Sequence, residues 1–300
     1  LKNGFSDSLK RFLRGTALRD EPMWRHTSLR VGGQADWFIT PADLADLRAL
    51  LALLAEHGMG FLVVGGGSNL LVRDGGIRGA VISLDRFDLL EPAGDGLLRA
   101  GAGATNRVLV EFAREKELTG LEFLVGIPGR LGGALAMNAG AGGRAITDFL
   151  EFLVTLRGSA VTSAAREDLS FGYRFLELKP DEIILEATFR LTGGRKEEIG
   201  RLMEEFLAHR RKVQQVGYPN AGSFFRNLPE GPAWRFIDAA GLRGMRVGGA
   251  QVSEVHANFL VNRGGATAGD FLALAALVKE KVREKTGVQL KEEVRIVGGD

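Results

Sequence analysis

Glycine in this chain is abundant and clustered: 42 of 300 residues, gathered at 65–67, 101–103, 126–133, 140–143 and 248–249 and not spaced as a repeat. That is about double the usual ~7%. A residue without a Cβ suits backbone that must turn left-handed or approach another group closely. The clusters therefore predict backbone cradles for something bulky and charged. Gly75-Gly76 reads as an ordinary tight turn.

The segments between the clusters are of mixed type. Thr40-Pro41-Ala42-Asp43 predicts a capping box with proline at the first helical position, and Leu44, Leu47, Leu51 and Leu54 then form one stripe ending at Gly58. Phe61 to Val64 predicts a short buried strand entering Gly65-Gly66-Gly67. Further strands are expected at 77–84, 97–100, 149–156 and 183–191, with a helix over 106–117. After Gly193-Gly194 a charged helix places Ile199, Leu202, Met203, Phe206 and Leu207 on one face. The last hundred residues predict a helix over 232–240, a strand Phe259-Leu260-Val261, a helix opened by Thr267-Ala268-Gly269-Asp270, and a closing strand over 288–297. In that strand Val288, Leu290, Val294 and Ile296 share one face and Glu293 and Arg295 the other. The fold class is α+β. The glycine pair is the expected boundary between residues 1–193, with subdomains at about 20–78 and 79–193, and residues 194–300.

Three glycines after a strand let backbone N–H groups converge on a pyrophosphate, with Ser68 and Asn69 adding side-chain donors. No Lys-Ser or Lys-Thr follows, so this is not a Walker loop. Gly101-Ala102-Gly103-Ala104-Thr105-Asn106 has asparagine where a Rossmann fingerprint needs its third glycine. Later, Gly222-Ser223-Phe224-Phe225 sets a serine between glycine and two aromatics without a Gly-x-Ser-x-Gly elbow. Such a serine suits a positioned proton donor better than an acyl nucleophile.

With His26-Thr27-Ser28-Leu29-Arg30-Val31-Gly32-Gly33, Gly126-Ile127-Pro128-Gly129-Arg130-Leu131-Gly132-Gly133-Ala134, Met137-Asn138-Ala139-Gly140-Ala141, Phe171-Gly172-Tyr173-Arg174 and the block from Ile237 to Asn262, these segments resemble the UDP-N-acetylenolpyruvoylglucosamine reductase family, in family order from Thr27 to Arg295. The absence of tyrosine between Phe175 and Gly217 resembles its shorter, second subclass. The resemblance implies an FAD-binding domain of the vanillyl-alcohol oxidase type followed by an α+β substrate-binding domain. Its implied FAD contacts are Arg30, Gly65, Gly66, Gly67, Ser68, Asn69, Gly126, Ile127, Pro128, Gly132, Gly133, Ala134, Asn138 and Gly140. Free N–H groups at the start of the helix after Pro128 are expected to meet a phosphate or the ring edge.

The implied reaction passes hydride from NADPH through FAD to C3 of an enolpyruvyl ether, while C2 receives a proton. Ser223 would be the donor, and Arg174 and Glu293 would stabilise charge spreading into the carboxylate. A guanidinium suits that task because it pairs bidentately and stays charged. Glu293 comes from Gln289-Leu290-Lys291-Glu292-Glu293-Val294-Arg295, similar to the family's Leu-Glu-Pro-Glu-Val-Arg, and strand alternation favours it over its neighbour Glu292. Implied substrate contacts are Tyr173, Gly222, Asn227, His256 and one residue of Arg210-Arg211-Lys212, taken as Arg211. This chain departs from the family pattern at Ser28 (usually phenylalanine), Arg130 (threonine), Leu176 (serine), Val216 (proline) and Lys291-Glu292 (Glu-Pro). Another FAD oxidase of the same fold, or a non-catalytic nucleotide-binding protein, would not need both Ser223 and Glu293.

Composition sets the exclusions. Thirty-nine basic against 37 acidic residues leave a net charge of only +2, which gives no broad polyanion-binding surface, so nucleic acid is not an expected partner. Zero cysteines exclude disulfides, thiolate metal sites and thiol catalysis. No metal site is expected. Apolar runs fall short of the ~20 residues of a membrane span, and Leu1 to Asp20 lacks a signal-peptide core. A cytoplasmic monomer follows as the expectation.

Overall fold

The structure, a computed structural model, describes residues 2–214 and 216–300. It comprises two compact units, each assembled from separate stretches of chain: Leu1–Leu18, Trp37–Gly65 and Gly79–His209 in the first, Arg19–Asp36, Gly66–Arg78 and Arg210–Asp300 in the second. The boundary therefore falls at His209, not at the Gly193-Gly194 pair. Thr192–Gly193 forms a strand paired with Leu118–Thr119, Gly194 N donates to Glu117 O at 2.8 Å, and the helix Lys196–Gln214 buries Ile199 and Met203 in the first unit's core. Nor is 20–78 one subdomain, because 19–36 and 66–78 join the C-terminal unit.

The first unit contains a five-stranded antiparallel sheet in the order Ala160–Ala165, Leu150–Arg157, Glu182–Arg190, Leu97–Gly101, Leu90–Gly94. Phe61–Val64 pairs in parallel with the strand Ile77–Ser83, Phe61 opposite Ala80; three of its four residues are only half-buried. The helix Leu44–Glu56 starts later than the capping-box pattern predicts. Asp43 is its N-cap, accepting from Asp46 N at 3.0 Å, and Pro41 lies outside the helix. Leu47, Leu50, Leu51 and Leu54 bury its apolar face beside Ile39 and Ile82.

Tertiary bonding decides that helix start. Buried Asp46 accepts from the backbone N–H groups of Ala42 (3.1 Å), Arg14 (2.9 Å) and Gly15 (2.9 Å) and from Arg14 Nε (3.1 Å). Burial alone would raise its carboxyl pKa, but these donors outweigh it and the pKa is lowered. Asp46→Ala strands three backbone donors, each worth about 1–3 kcal/mol when left unpaired. The expected loss is about 3–5 kcal/mol, read as a lower urea midpoint, and Asp46→Asn should recover part of it.

In the second unit a four-stranded sheet runs Asn220–Ser223, Phe259–Asn262, Ala250–Val252, Arg246–Val247. The helix Ala268–Thr286 begins at the Thr267/Asp270 capping box, ends at Gly287 with φ +75°, and packs Phe271, Leu274 and Val278 with Phe224, Phe225 and Leu260. The closing strand is shorter than the alternation predicts. Only Arg295–Val297 is a strand, parallel to Leu70–Val72. Before it, the chain passes the Phe224–Arg226 edge through single contacts: Arg226 N donates to Lys291 O (2.9 Å), Glu292 bridges Phe225, and Glu293 N donates to Phe224 O (2.8 Å). Without a continuous ladder, strand parity no longer separates Glu292 from Glu293. Glu292 pairs with Lys279 at 2.9 Å.

Among the described residues no helix is long and apolar enough to cross a membrane, and no cluster of three or more His, Cys, Asp or Glu could hold a metal ion.

Candidate cofactor and substrate sites

Each glycine of the first loop has its own environment. Gly65, the last residue of its stretch of the first unit, is half-buried, and a Cβ there would lie 3.5 Å from Arg130 Cβ. Gly66 is exposed. Gly67 is buried with φ +59°, and a Cβ would fall 1.9 Å from His26 O, so its glycine is required by the protein's own backbone. Around it the turn from His26 to Arg30 closes: Ser28 N donates to Gly67 O (3.1 Å) and Ser28 Oγ to Asn220 O (2.6 Å). The serine thus ties the loop to the strand that carries Ser223. Arg30 is exposed with φ +55°. Ser68 is half-buried, and Asn69 Nδ2 donates to Glu293 O at 3.1 Å.

The central glycine segment lies in the first unit. Gly126 ends a 3-10 turn, Ile127 N donates to Leu124 O (2.9 Å), and the helix that follows is only Leu131–Ala136. The expectation of free amides at its start fails at two positions: Leu131 N donates to Ala104 O (2.8 Å) and Gly132 N to Ala102 O (2.9 Å). The Gly101–Thr105 loop takes them. Arg130, in place of threonine, fastens the same loop by donating to Gly103 O (2.6 Å) and pairing with Asp85 (2.7 Å). Gly133 is exposed, and Asn106 is buried. A Cβ on Gly133 would meet nothing within 4 Å, and Asn106 Oδ1 is a buried acceptor with no partner, although Asn106 Nδ2 donates to Ile127 O at 3.0 Å.

Asn138 and Arg174 both hold left-handed backbone, φ 38° and 62°. A non-glycine residue there costs roughly 1–3 kcal/mol and persists only when its surroundings impose it. Arg174 sits at the turn between the paired strands Phe171–Gly172 and Phe175–Leu176, its guanidinium 5.2 Å from the centroid of the exposed Tyr173 ring and Nη2 3.3 Å from Gly140 O. Leu176, at the family's serine position, is buried in the core.

In the second unit Gly222 (φ +73°) precedes half-buried Ser223, and a Cβ there would meet nothing within 4 Å. The following backbone is clamped by Asn258: Phe224 N donates to its carbonyl (2.7 Å), Phe225 N to its Oδ1 (2.9 Å), and its Nδ2 to Phe225 O (2.8 Å). Asn258 is a positioning residue that reading for donors and charges passes over; its signal was the unbroken run His256-Ala257-Asn258-Phe259. With Glu293 N on Phe224 O, the structure brings the serine strand and the Glu293 backbone side by side.

Other expected substrate contacts are placed differently. Asn227 Oδ1 accepts from Ala233 N at 3.1 Å, capping the helix Ala233–Ala239. His256 Nδ1 accepts from Asn258 N (3.3 Å) and its ring lies edge-on to Phe259, centroids 4.6 Å apart. Burial lowers its pKa, which leaves a neutral ring near neutral pH. Of the basic triplet, Arg211 and Lys212 are exposed while Arg210 is half-buried, its guanidinium pKa lowered by desolvation.

Residues 35–158 match the FAD binding domain family, and residues 214–297 match the family described as UDP-N-acetylenolpyruvoylglucosamine reductase, C-terminal domain. The UDP-N-acetylenolpyruvoylglucosamine reductase of Geotalea uraniireducens is 61% identical over 96% of both chains, and that of Geobacter metallireducens is 62% identical over 97% of both. The crystal structure of the Thermus caldophilus reductase superimposes with a TM-score of 0.81 at 35% identity, covering 95% of this chain and 99% of that one. Full-length similarity at this level means that the chain belongs to the UDP-N-acetylenolpyruvoylglucosamine reductase family.

Proposed function

We propose that this protein reduces UDP-N-acetylglucosamine enolpyruvate to UDP-N-acetylmuramate in peptidoglycan precursor synthesis, as a cytoplasmic, monomeric, NADPH-dependent flavoenzyme. The observation that carries the site assignment is the junction in the second unit, where Glu293 N bonds Phe224 O one residue beyond Ser223. An oxidase of the same fold acting on an alcohol would not need both Ser223 and the terminal glutamate.

The residues fit FAD in chemical kind. Gly133 leaves space, Gly66 is exposed, and the orphaned Asn106 Oδ1 is an acceptor suited to a cofactor hydroxyl or N–H. Arg30, Gly65, Gly66, Gly67, Ser68, Asn69, Gly126, Ile127, Pro128, Gly132, Gly133, Ala134 and Gly140 form the proposed FAD segments, in which Gly67, Asn69 and Gly132 act by shaping the backbone, whereas Asn138, expected among them, leaves the set because Gly172 O and Thr147 take both of its amide atoms. Bound FAD would supply the hydride chemistry between NADPH and C3 of the vinyl ether.

The protein's own groups manage the charge and the proton. Arg174 pairs with the enolpyruvyl carboxylate, into which the electrons released at C2 delocalise, and Glu293 assists in stabilising that charge. Ser223 Oγ donates its proton to C2, completing addition of hydride and proton across the C=C bond. Gly222 keeps the approach to Ser223 open, Tyr173 flanks Arg174, and Asn227, His256 and the basic triplet hold the nucleotide sugar; within the triplet, half-buried Arg210 replaces Arg211 as the proposed contact.

Anaerobic addition of NADPH to the holoenzyme should bleach the flavin, and the enolpyruvyl nucleotide sugar should restore its absorbance with stoichiometric formation of UDP-N-acetylmuramate. Reoxidation by oxygen alone, with no response to the enolpyruvyl compound, overturns the proposal.

A further inference from the structure

The left-handed Arg174 turn is held from below by a closed ring of interactions within the first unit. Asn138 Nδ2 donates to Gly172 O (3.0 Å), at the foot of the hairpin that carries Arg174. Asn138 Oδ1 accepts from Thr147 Oγ1 (2.9 Å) and Thr147 N (3.3 Å). Thr147 O accepts from Arg166 Nε at 2.7 Å, and the Arg166 guanidinium lies 5.0 Å from the centroid of the Phe171 ring, adjacent to Gly172. Starting from Asn138, the ring returns to the hairpin from its other side.

We infer that Asn138 is a positioning residue for Arg174, with Arg166 as the outer support, and that its side chain serves the substrate anion and not the flavin. This rests on the proposed role of Arg174. Three features point the same way. Both amide atoms of Asn138 are engaged inside the protein, so the buried side chain has its geometry imposed by bonds to two different segments. Asparagine is among the non-glycine residues that best tolerate its φ of 38°. Arg174 carries a like strain two residues beyond Gly172, and such a turn returns to relaxed backbone when its foot is released. A carboxylate recognised bidentately is sensitive to misplacement of the guanidinium by about 1 Å.

The test uses intact holoenzyme and three readouts: flavin content, the rate of flavin reduction by NADPH, and the Kd of the enolpyruvyl nucleotide sugar, titrated into oxidised enzyme without NADPH and followed by the flavin difference spectrum. Asn138→Asp keeps the acceptor for Thr147 but sets an oxygen against Gly172 O. It should weaken substrate binding roughly 10–100-fold while flavin content and reduction rate stay unchanged. Arg166→Lys, a milder change at a half-buried site, should shift Kd the same way by roughly 3–10-fold, the size of a lost charge-assisted hydrogen bond in a partly solvated setting. In an Arg174→Ala background neither change should weaken binding further. Loss of flavin or slowed reduction in Asn138→Asp, or a Kd penalty that persists undiminished with Arg174→Ala, overturns the inference. If Arg174→Ala alone leaves Kd unchanged, the role of Arg174 falls instead, which separates the two failures.

Discussion

Ser223→Ala should bind FAD and be reduced by NADPH at an unchanged rate, because neither step draws on the hydroxyl. Reoxidation by the enolpyruvyl substrate should fall by ~10²–10⁴, the usual span for a lost general acid, and further if hydride and proton transfer are coupled. The structure makes the substitution clean. Ser223 is half-buried at the end of its strand, and the backbone after it is held by Asn258 and the Glu293 segment, not by the serine side chain. Ser223→Cys keeps an acidic proton and should recover part of the rate. Stopped-flow traces of the two half-reactions decide the matter: normal reoxidation in the alanine variant would pass the proton to Glu293 or water.

Gly66→Leu should abolish retention of FAD while leaving a folded protein. Gly66 is exposed, where a substitution ordinarily changes stability by no more than about 0.5 kcal/mol. If the pyrophosphate rests on this loop, the leucine side chain displaces charge-assisted bonds worth about 1.5–3 kcal/mol each, weakening binding by ~10²-fold or more. Gly67 cannot serve for this test, since a Cβ 1.9 Å from His26 O would disrupt the loop whether or not a cofactor binds. Flavin absorbance after reconstitution and dialysis, beside an unchanged circular dichroism spectrum, reads the outcome. Full occupancy would remove the phosphate-cradle assignment.

Local signals were legible in the chain and long-range ones were not. The Thr267/Asp270 box starts its helix as its spacing requires, since both partners lie within one turn. At 40–46 several acceptors compete, and Asp43 wins as N-cap because Asp46 is drawn to Ala42, Arg14 and Gly15, two of them about thirty residues distant. Glycine spacing announced close approaches without naming what approaches: a Cβ at Gly101 would lie 2.1 Å from Phe87 O and at Gly103 2.0 Å from Leu84 O, both protein backbone and not ligand. The amides of Leu131 and Gly132 are occupied for the same reason. Arg210 and Arg211 differ by one residue, ~100° around a helix, a step that a run of like charges does not resolve. The serine strand and the glutamate tail could each be singled out from the chain, but their adjacency rests on a few long-range backbone contacts, among them Glu293 N to Phe224 O and Arg226 N to Lys291 O.

The parallel pairing of Leu70–Val72 with Arg295–Val297 bears on how the molecule is made. Asn69 and its partner Glu293 are 224 positions apart, so on a ribosome adding ~5–20 residues per second the glycine loop emerges roughly 10–45 s before the segment that anchors it. For the first part of that interval the first unit also lacks its last helix, Lys196–Gln214, while the stretches 19–36 and 66–78 can bond to each other, as Ser28 N does to Gly67 O and Gly33 N to Arg73 O, but not yet to the C-terminal segment. The glycine loop, among the earlier segments to leave the exit tunnel, thus gains its anchor at Asn69 only after residue 293 has emerged.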